Sequence, residues 1–173
     1  RLFNEGNSIV SRIYFGIGIP YGNASVLPLE KGFYGGGANG IRAWPLRLLG
    51  PGSYNNPDDL FDRMGDMHIE LNLEYRFPIY RFFKVAIFVD AGNVCLLNKN
   101  ENYPGGEFQF DDFHKEVAVG TGLGARLDFD FFVFRLDFAA KTRDPSRPEG
   151  DRWTFNTFRF KDVLLNFAIG YPF

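Results

Sequence analysis

Sulfur is scarce in this chain and long apolar runs are absent. Of its 173 residues one is cysteine, Cys95, two are methionine and two are histidine. A single cysteine excludes an internal disulfide and a cysteine-built metal centre. Mean hydropathy is −0.18, and nowhere do about twenty apolar residues follow one another, so no membrane-spanning helix is encoded. The formal net charge is −2, which leaves out the basic footprint of a nucleic-acid binder. No initiator methionine or leader stands at Arg1. The expectation is a processed or partial piece of a longer protein.

What the chain has in excess is aromatic side chains, 18% of all residues, with 21 phenylalanines. They fall at alternate positions. From Asp162 to Phe173, Val163, Leu165, Phe167, Ile169, Tyr171 and Phe173 are apolar or aromatic. Between them stand Asp162, Asn166, Ala168, Gly170 and Pro172, with Leu164 the exception. Period-two alternation puts the two sets on opposite faces of a strand. The same pattern recurs upstream. Ile9, Ser11, Ile13, Phe15, Ile17 and Ile19 oppose Ser8, Arg12, Gly16 and Gly18. Met67, Ile69, Leu71, Leu73, Tyr75, Phe77 and Ile79 oppose His68, Glu70, Asn72, Glu74, Arg76 and Pro78. Phe83 to Ala91, Val117 to Phe129 and Phe132 to Phe138 alternate likewise. Arg1-Leu2-Phe3 reads as the tail of a preceding strand.

The connections alternate too. Asn4–Asn7, Tyr80–Phe82 and Asp128–Asp130 are tight turns, whereas 21–66, 96–115 and 142–161 are long, polar and rich in glycine and proline. An antiparallel meander through an outer membrane has this rhythm, with short periplasmic turns and long external loops. Aromatics gather at the short-turn ends (Tyr75, Phe77, Tyr80, Phe82, Phe83, Phe129, Phe131, Phe132, Tyr171 and Phe173), which reads as an interfacial girdle. The fold class is therefore all-β, an antiparallel transmembrane barrel meander of about six strands. A soluble two-sheet sandwich also explains the alternation, but not the aromatic ends. Six strands do not close a membrane barrel, for which about eight is the minimum, and open edges in lipid are prohibitive. More chain before Arg1, or several chains together, would complete it; the missing N-terminus favours the first.

Several chemical readings fail on spacing. Gly120-Thr-Gly-Leu-Gly-Ala125 is not a dinucleotide fingerprint, and Gly35-Gly-Gly-Ala-Asn-Gly40 lacks the Lys-Ser/Thr of a phosphate loop. Asp111, Asp112 and His114 read as a solvated loop cluster rather than a cation site. Glu74 and Asp90 could form a glycosidase-like acid pair, and no nucleophile stands obviously near His68 or His114. The expectation is no catalytic residue, no metal, no cofactor and no enzyme.

The longest loop carries a family signature. It runs Phe33-Tyr-Gly-Gly-Gly-Ala-Asn-Gly-Ile-Arg-Ala-Trp44 and continues Leu49-Gly-Pro-Gly-Ser-Tyr54. This resembles the loop of BamA- and TamA-like outer-membrane assembly factors of the bacterial surface antigen superfamily. The motif falls on Gly40, Ile41, Arg42, Ala43 and Trp44, then Gly50 and Pro51. Leu73-Glu-Tyr-Arg-Phe-Pro-Ile79, Phe88-Val-Asp-Ala-Gly-Asn-Val94 and Gly120-Thr-Gly-Leu-Gly124 fit the same family, closest to members from Bacteroidota. Ala43 departs from the pattern, which has glycine there, and puts the shape of the loop tip in question.

The resemblance implies that residues 1–173 are the C-terminal portion of one outer-membrane barrel of about sixteen strands, with the 21–66 loop docked in the lumen. The N-terminal strands and periplasmic domains would lie outside this chain, and the C-terminus on the periplasmic side. The implied activity is inserting or translocating proteins. Implied partners are outer-membrane lipid, unfolded client proteins and accessory periplasmic or lipoprotein subunits, with no nucleic acid. The barrel seam would offer a strand edge to clients. Its residues here are Phe167, Ile169, Gly170, Tyr171 and Phe173, which also resemble a C-terminal signal strand. Gly170 and Pro172 weaken pairing there, or merely finish the strand at the rim. Alternatives are a two-partner-secretion exporter or passive pore on a similar barrel, and a barrel fused to an upstream enzyme.

Strand parity adds a site. Glu74, Phe88 and Asp90 fall on polar faces of consecutive strands. A guanidinium between two acids and an aromatic ring satisfies all three, and Arg42 at the loop tip is the candidate, with the partner set that the resemblance also implies. The plainer reading leaves Glu74 and Asp90 as water-facing groups. Gly120, Gly122 and Gly124 share that face and leave room for a folded-in loop.

Overall fold

The computed structural model describes residues 6–23, 27–56, 63–129 and 131–173. Residues 1–3, part of the 4–7 turn and Asp130 lie outside them. In chain order the strands are β1 (Ser8–Ile17), β2 (Phe33–Tyr34), β3 (Met64–Gly65), β4 (Met67–Tyr80), β5 (Phe83–Cys95), β6 (Ala118–Asp128), β7 (Val133–Arg143) and β8 (Leu164–Ile169). A single helical turn, α1 (Phe113–Glu116), precedes β6. One six-stranded sheet runs β1-β4-β5-β6-β7-β8, every neighbouring pair antiparallel. The β2–β3 ribbon lies within the long β1–β4 connection.

The main sheet is inside-out relative to a water-soluble domain. Ile13 (79% exposed), Phe15 (61%), Leu123 (56%) and Phe167 (66%) stand on its uncovered face. On the opposite face Glu74, Asp90, Arg126, Arg135 and Asp137 are fully buried. Charged residues are almost never fully buried unless paired; here a folded-in loop covers and pairs them. No second sheet packs on the apolar face among the described residues, so the sandwich alternative does not describe this molecule. The 14 residues of β4 and 13 of β5 exceed the roughly 9–11 that a tilted strand needs to cross a bilayer.

At the short-turn end the rings touch in series. Tyr80 meets Phe82, Phe82 meets Phe129 at 5.3 Å, Phe129 meets Phe132 at 5.1 Å, Phe132 meets Phe134 at 4.8 Å, and Phe134 meets Phe167 at 5.9 Å. Each turn places its aromatic beside the next, so the rim runs across five strands, β4 to β8, and two turns.

The last strand departs from its sequence pattern. Alternation predicts a strand from Asp162 to Phe173, but Phe160–Asp162 is a 3-10 turn and pairing with β7 covers Leu164 to Ile169. Gly170, at φ +89°, turns the chain, a conformation that costs glycine nothing. Tyr171 then donates its hydroxyl to Asp128 at 2.7 Å, with the Arg76 guanidinium 4.3 Å from its ring centre. The Phe173 ring lies 5.3 Å from the Arg12 guanidinium. Tyr171 and Phe173 therefore join the polar face, not the apolar face that their parity predicts. Cation–π contact outweighs continuation of the strand once glycine permits the turn.

Candidate functional site: a loop locked to the polar face

The loop tip is built by local backbone bonds. Gly37 N–H donates to Trp44 O at 2.8 Å, Gly40 N–H to Gly37 O at 3.1 Å and Trp44 N–H to Ile41 O at 3.1 Å. These turns project Arg42 toward the sheet. Ile41, Ala43, Trp44 and Leu49 bury against Phe88, Ala118 and Ala139, a small apolar core between loop and wall. Arg47 and Arg81 are the positive-φ residues other than glycine among those described, so Ala43 has ordinary backbone geometry and needs no glycine. The departure from the family pattern is absorbed by the wall: a Cβ on Gly120 would stand 2.7 Å from that of Ala43.

Arg42 is fully buried. Its Nε and Nη2 donate to the two oxygens of Asp90, each at 2.8 Å, and its backbone N–H reaches Asp90 Oδ2 at 3.1 Å. Its Nη1 donates to Glu74 Oε2 at 2.6 Å. The guanidinium carbon lies 3.5 Å from the centre of the Phe88 ring. The bidentate fork on Asp90 suits a planar guanidinium, which a lysine could not reproduce. Glu74 is held by arginines and Asp90 by Arg42 and Asn72, so the two acids serve as partners of the docked loop.

The network is larger than the three partners that parity picked out. Glu74 also accepts from Arg76 Nε at 2.7 Å and Arg126 Nη2 at 3.1 Å. Arg126 Nη1 donates to Asp137 at 2.5 Å, and Arg135 Nη2 donates to Ala38 O at 2.7 Å and Asn39 Oδ1 at 2.8 Å. Asn72 Nδ2 bridges Asp90 Oδ1 and Gly40 O at 3.0 and 3.2 Å. Arg12 bonds Glu70, Asn72 and Asn39 O. From the last strand, Asn166 Nδ2 donates to Arg42 O at 2.9 Å. The only sequence signal for these residues is shared parity: each lies on the polar side of its strand.

Gly50 and Pro51 sit farther along the loop, at the long-loop end of β5. Gly50, at φ +80°, packs so closely that a Cβ would stand 2.7 Å from Asn93 Oδ1. Gly52 N–H donates to Val94 O and Asn93 Nδ2 to Gly52 O, both at 2.8 Å. Phe167 and Ile169 project from the apolar face of β8, 66% and 69% exposed. Asp112 pairs with Lys115 at 2.7 Å, and no group of three or more His, Cys, Asp or Glu residues suited to a metal occurs among the described residues.

Gly120→Val is expected to expel the loop tip, because the added side chain occupies the place of Ala43. Overpacking of this kind costs about 1–3 kcal/mol. Limited proteolysis of the 38–48 segment in the lipid-embedded protein checks it, and an unchanged cleavage rate would show that the tip has room.

A sheet that turns its apolar face outward and clamps a loop by buried ion pairs on its polar face has the make-up of part of a membrane β-barrel wall. Comparison with known proteins gives the family: residues 2–161 match the Omp85 superfamily domain, and the chain belongs to that superfamily. It is similar to the outer membrane protein assembly factor BamA of Neisseria meningitidis serogroup B, 30% identical over 84 residues that make up 46% of this chain and 10% of that protein. The chain thus spans about a tenth of the length of the curated relative it matches.

Proposed function

We propose that this chain is the C-terminal part of a larger outer-membrane barrel that inserts or translocates other proteins. Its short turns face the periplasm and its long loops the exterior, and unfolded outer-membrane proteins are its clients. Accessory periplasmic or lipoprotein subunits complete the machine. The observation that carries this reading is the character of β8 beside the lock. Only six residues of β8 pair with β7. Its tail turns away at Gly170, which shortens the edge available to a neighbouring strand. A short, weakly held edge suits temporary strand addition, because backbone hydrogen bonds can be exchanged with a client strand. The lock gives that edge a rigid backing through Asn166 and Arg42 O.

Cysteine crosslinking in the full-length protein tests the seam. Pairs joining Asn166 or Ala168 to the first barrel strand are expected to crosslink unevenly, strongest in the outer half and weak near Gly170. Uniform crosslinking along the whole strand, unaffected by client load in cells, would favour a passive pore. The number of periplasmic domains upstream separates an assembly factor from a two-partner-secretion exporter.

A further inference from the structure

The connection between β7 and β8 carries a run that the lock does not use. It reads Arg152-Trp-Thr-Phe-Asn-Thr-Phe-Arg-Phe-Lys161, with four aromatic rings, three cations and no acid; Asp151 and Asp162 bound it. All four rings are exposed, Phe155 to 70% and Phe160 to 90%. Trp153 and Phe155 stack 5.6 Å apart with 10° between their planes, and Phe158 meets Phe160 edge-on at 5.7 Å.

The rings stand on a fixed frame. Thr154 is buried; its N–H donates to Thr142 O at 3.1 Å and its hydroxyl to Lys141 O. Thr157 N–H returns to Thr154 O at 3.0 Å, and Arg147 Nη1 donates to the Thr157 hydroxyl at 2.8 Å. Arg152 spends its guanidinium on Lys115 O and Arg147 O. Arg159 and Lys161 are exposed, with no ion pair or side-chain hydrogen bond among the described residues.

Register puts the rings on the apolar side. Arg143 pairs with Val119, and Trp153 is bridged to Arg143. Directly paired residues share a face, and Val119 has the parity of Leu123 on the uncovered face. Phe155 follows Trp153 at a spacing of two. Phe158 lines a small cavity with Ala140, two positions on from Phe138 along that face of β7. The height fits as well. Phe134 belongs to the rim at the short-turn end, and Arg143 is nine positions further along β7. Steps of about 3.3 Å at a tilt of about 40° give a rise of about 23 Å, close to the roughly 25 Å of an apolar band. Exposed rings alone do not mark such a place: Phe110 in the β5–β6 connection is exposed too, but Asp111 and Asp112 follow it.

We propose, on the reading of this sheet as part of a membrane barrel, that residues 152–161 anchor the β7–β8 connection to an anionic lipid surface. The four rings sit at the boundary between headgroups and acyl chains, and Arg159 and Lys161 reach the headgroup phosphates. The anchor holds the long-loop end of β8 where strand pairing does not. Pairing starts at Leu164 opposite Ala139, while β7 continues to Arg143.

Nitroxide labels at Phe155→Cys and Phe160→Cys of the full-length protein test this in vesicles of phosphatidylcholine mixed equally with phosphatidylglycerol. A label at Leu123→Cys is the reference, and Cys95 is buried. Both loop labels are expected to collide more with oxygen, which concentrates in lipid, than with a water-soluble nickel chelate. Arg159→Gln combined with Lys161→Gln is expected to raise nickel collision at both about tenfold, and transfer to pure phosphatidylcholine likewise, with the Leu123 label unmoved. Loop labels open to nickel while Leu123 stays in lipid would overturn the anchor and leave the barrel standing. Nickel access at Leu123 as well would remove the barrel reading itself. Loop labels shielded from both reagents would show that protein covers the segment. Rings seated in lipid but indifferent to both charge changes would show that headgroup phosphates are not recognised. Either result rejects the proposal.

Discussion

Arg42→Ala is expected to lower the stability of the lipid-embedded barrel by about 3–5 kcal/mol, the range found when one partner of a buried ion pair is removed. The loss falls mainly on Asp90. Glu74 keeps Arg76 and Arg126 after the substitution, whereas Asp90 keeps Asn72 as its remaining side-chain donor among the described contacts. Asp90 would then be a fully buried carboxylate facing a cavity. Asp90→Ala is expected to cost less than Arg42→Ala, because Arg42 retains Glu74 and the Phe88 ring. The double variant should cost less than the sum of the singles, since the residues form one unit. Arg42→Lys should rescue little, because an ammonium cannot make the forked bond to Asp90 and still reach Glu74. Urea unfolding in vesicles and the yield of outer-membrane proteins in cells provide the two readouts. Strict additivity would show that the contacts act independently and that the network is not a lock.

Leu71→Arg and Leu123→Arg are expected to cost about 2–4 kcal/mol each, the penalty for a cation near the bilayer midplane on the lipid face of a barrel. Both leucines stand on the uncovered face, 47% and 56% exposed. Their exposure is tolerable only where lipid replaces water. His68→Arg is the matched control. That residue lies on the polar face with Nε2 at 3.2 Å from Glu70 Oε2, so a permanent cation there has an acid beside it and should cost less than half as much. Equal penalties for the two faces would remove the basis for placing the apolar side in a membrane.

Much of this was legible before any coordinates. Alternation assigns a face to nearly every residue of β4 to β7 because successive side chains of a strand point to opposite sides whatever surrounds it. The same rule places Glu74, Phe88 and Asp90 together on the polar side, and charge balance then calls for a cation among them. The loop motif supplies Arg42. Parity also puts Arg76, Arg126, Arg135 and Asp137 on that side, yet nothing in the sequence selects them as partners. Which residue faces which across strands depends on register. Register here rests on a two-residue turn and on irregularities after Pro78 and Val119. Asn166 reaches Arg42 O from 124 positions away, a separation across which local pattern carries no information.

The tail of β8 shows the boundary most clearly. By itself the sequence determined that this is an antiparallel, two-faced sheet, because the period of two is a property of the backbone. It likewise determined that a glycine-rich loop carries an arginine in need of acidic partners. Only the tertiary structure decided that the loop lies across the polar face, that five arginines and four acids close into one network, and that Tyr171 and Phe173 leave the alternation. Those outcomes depend on the balance between continuing a local pattern and meeting distant charges. Gly170 permits either conformation, and the guanidiniums of Arg12 and Arg76, positioned by other strands, settle it.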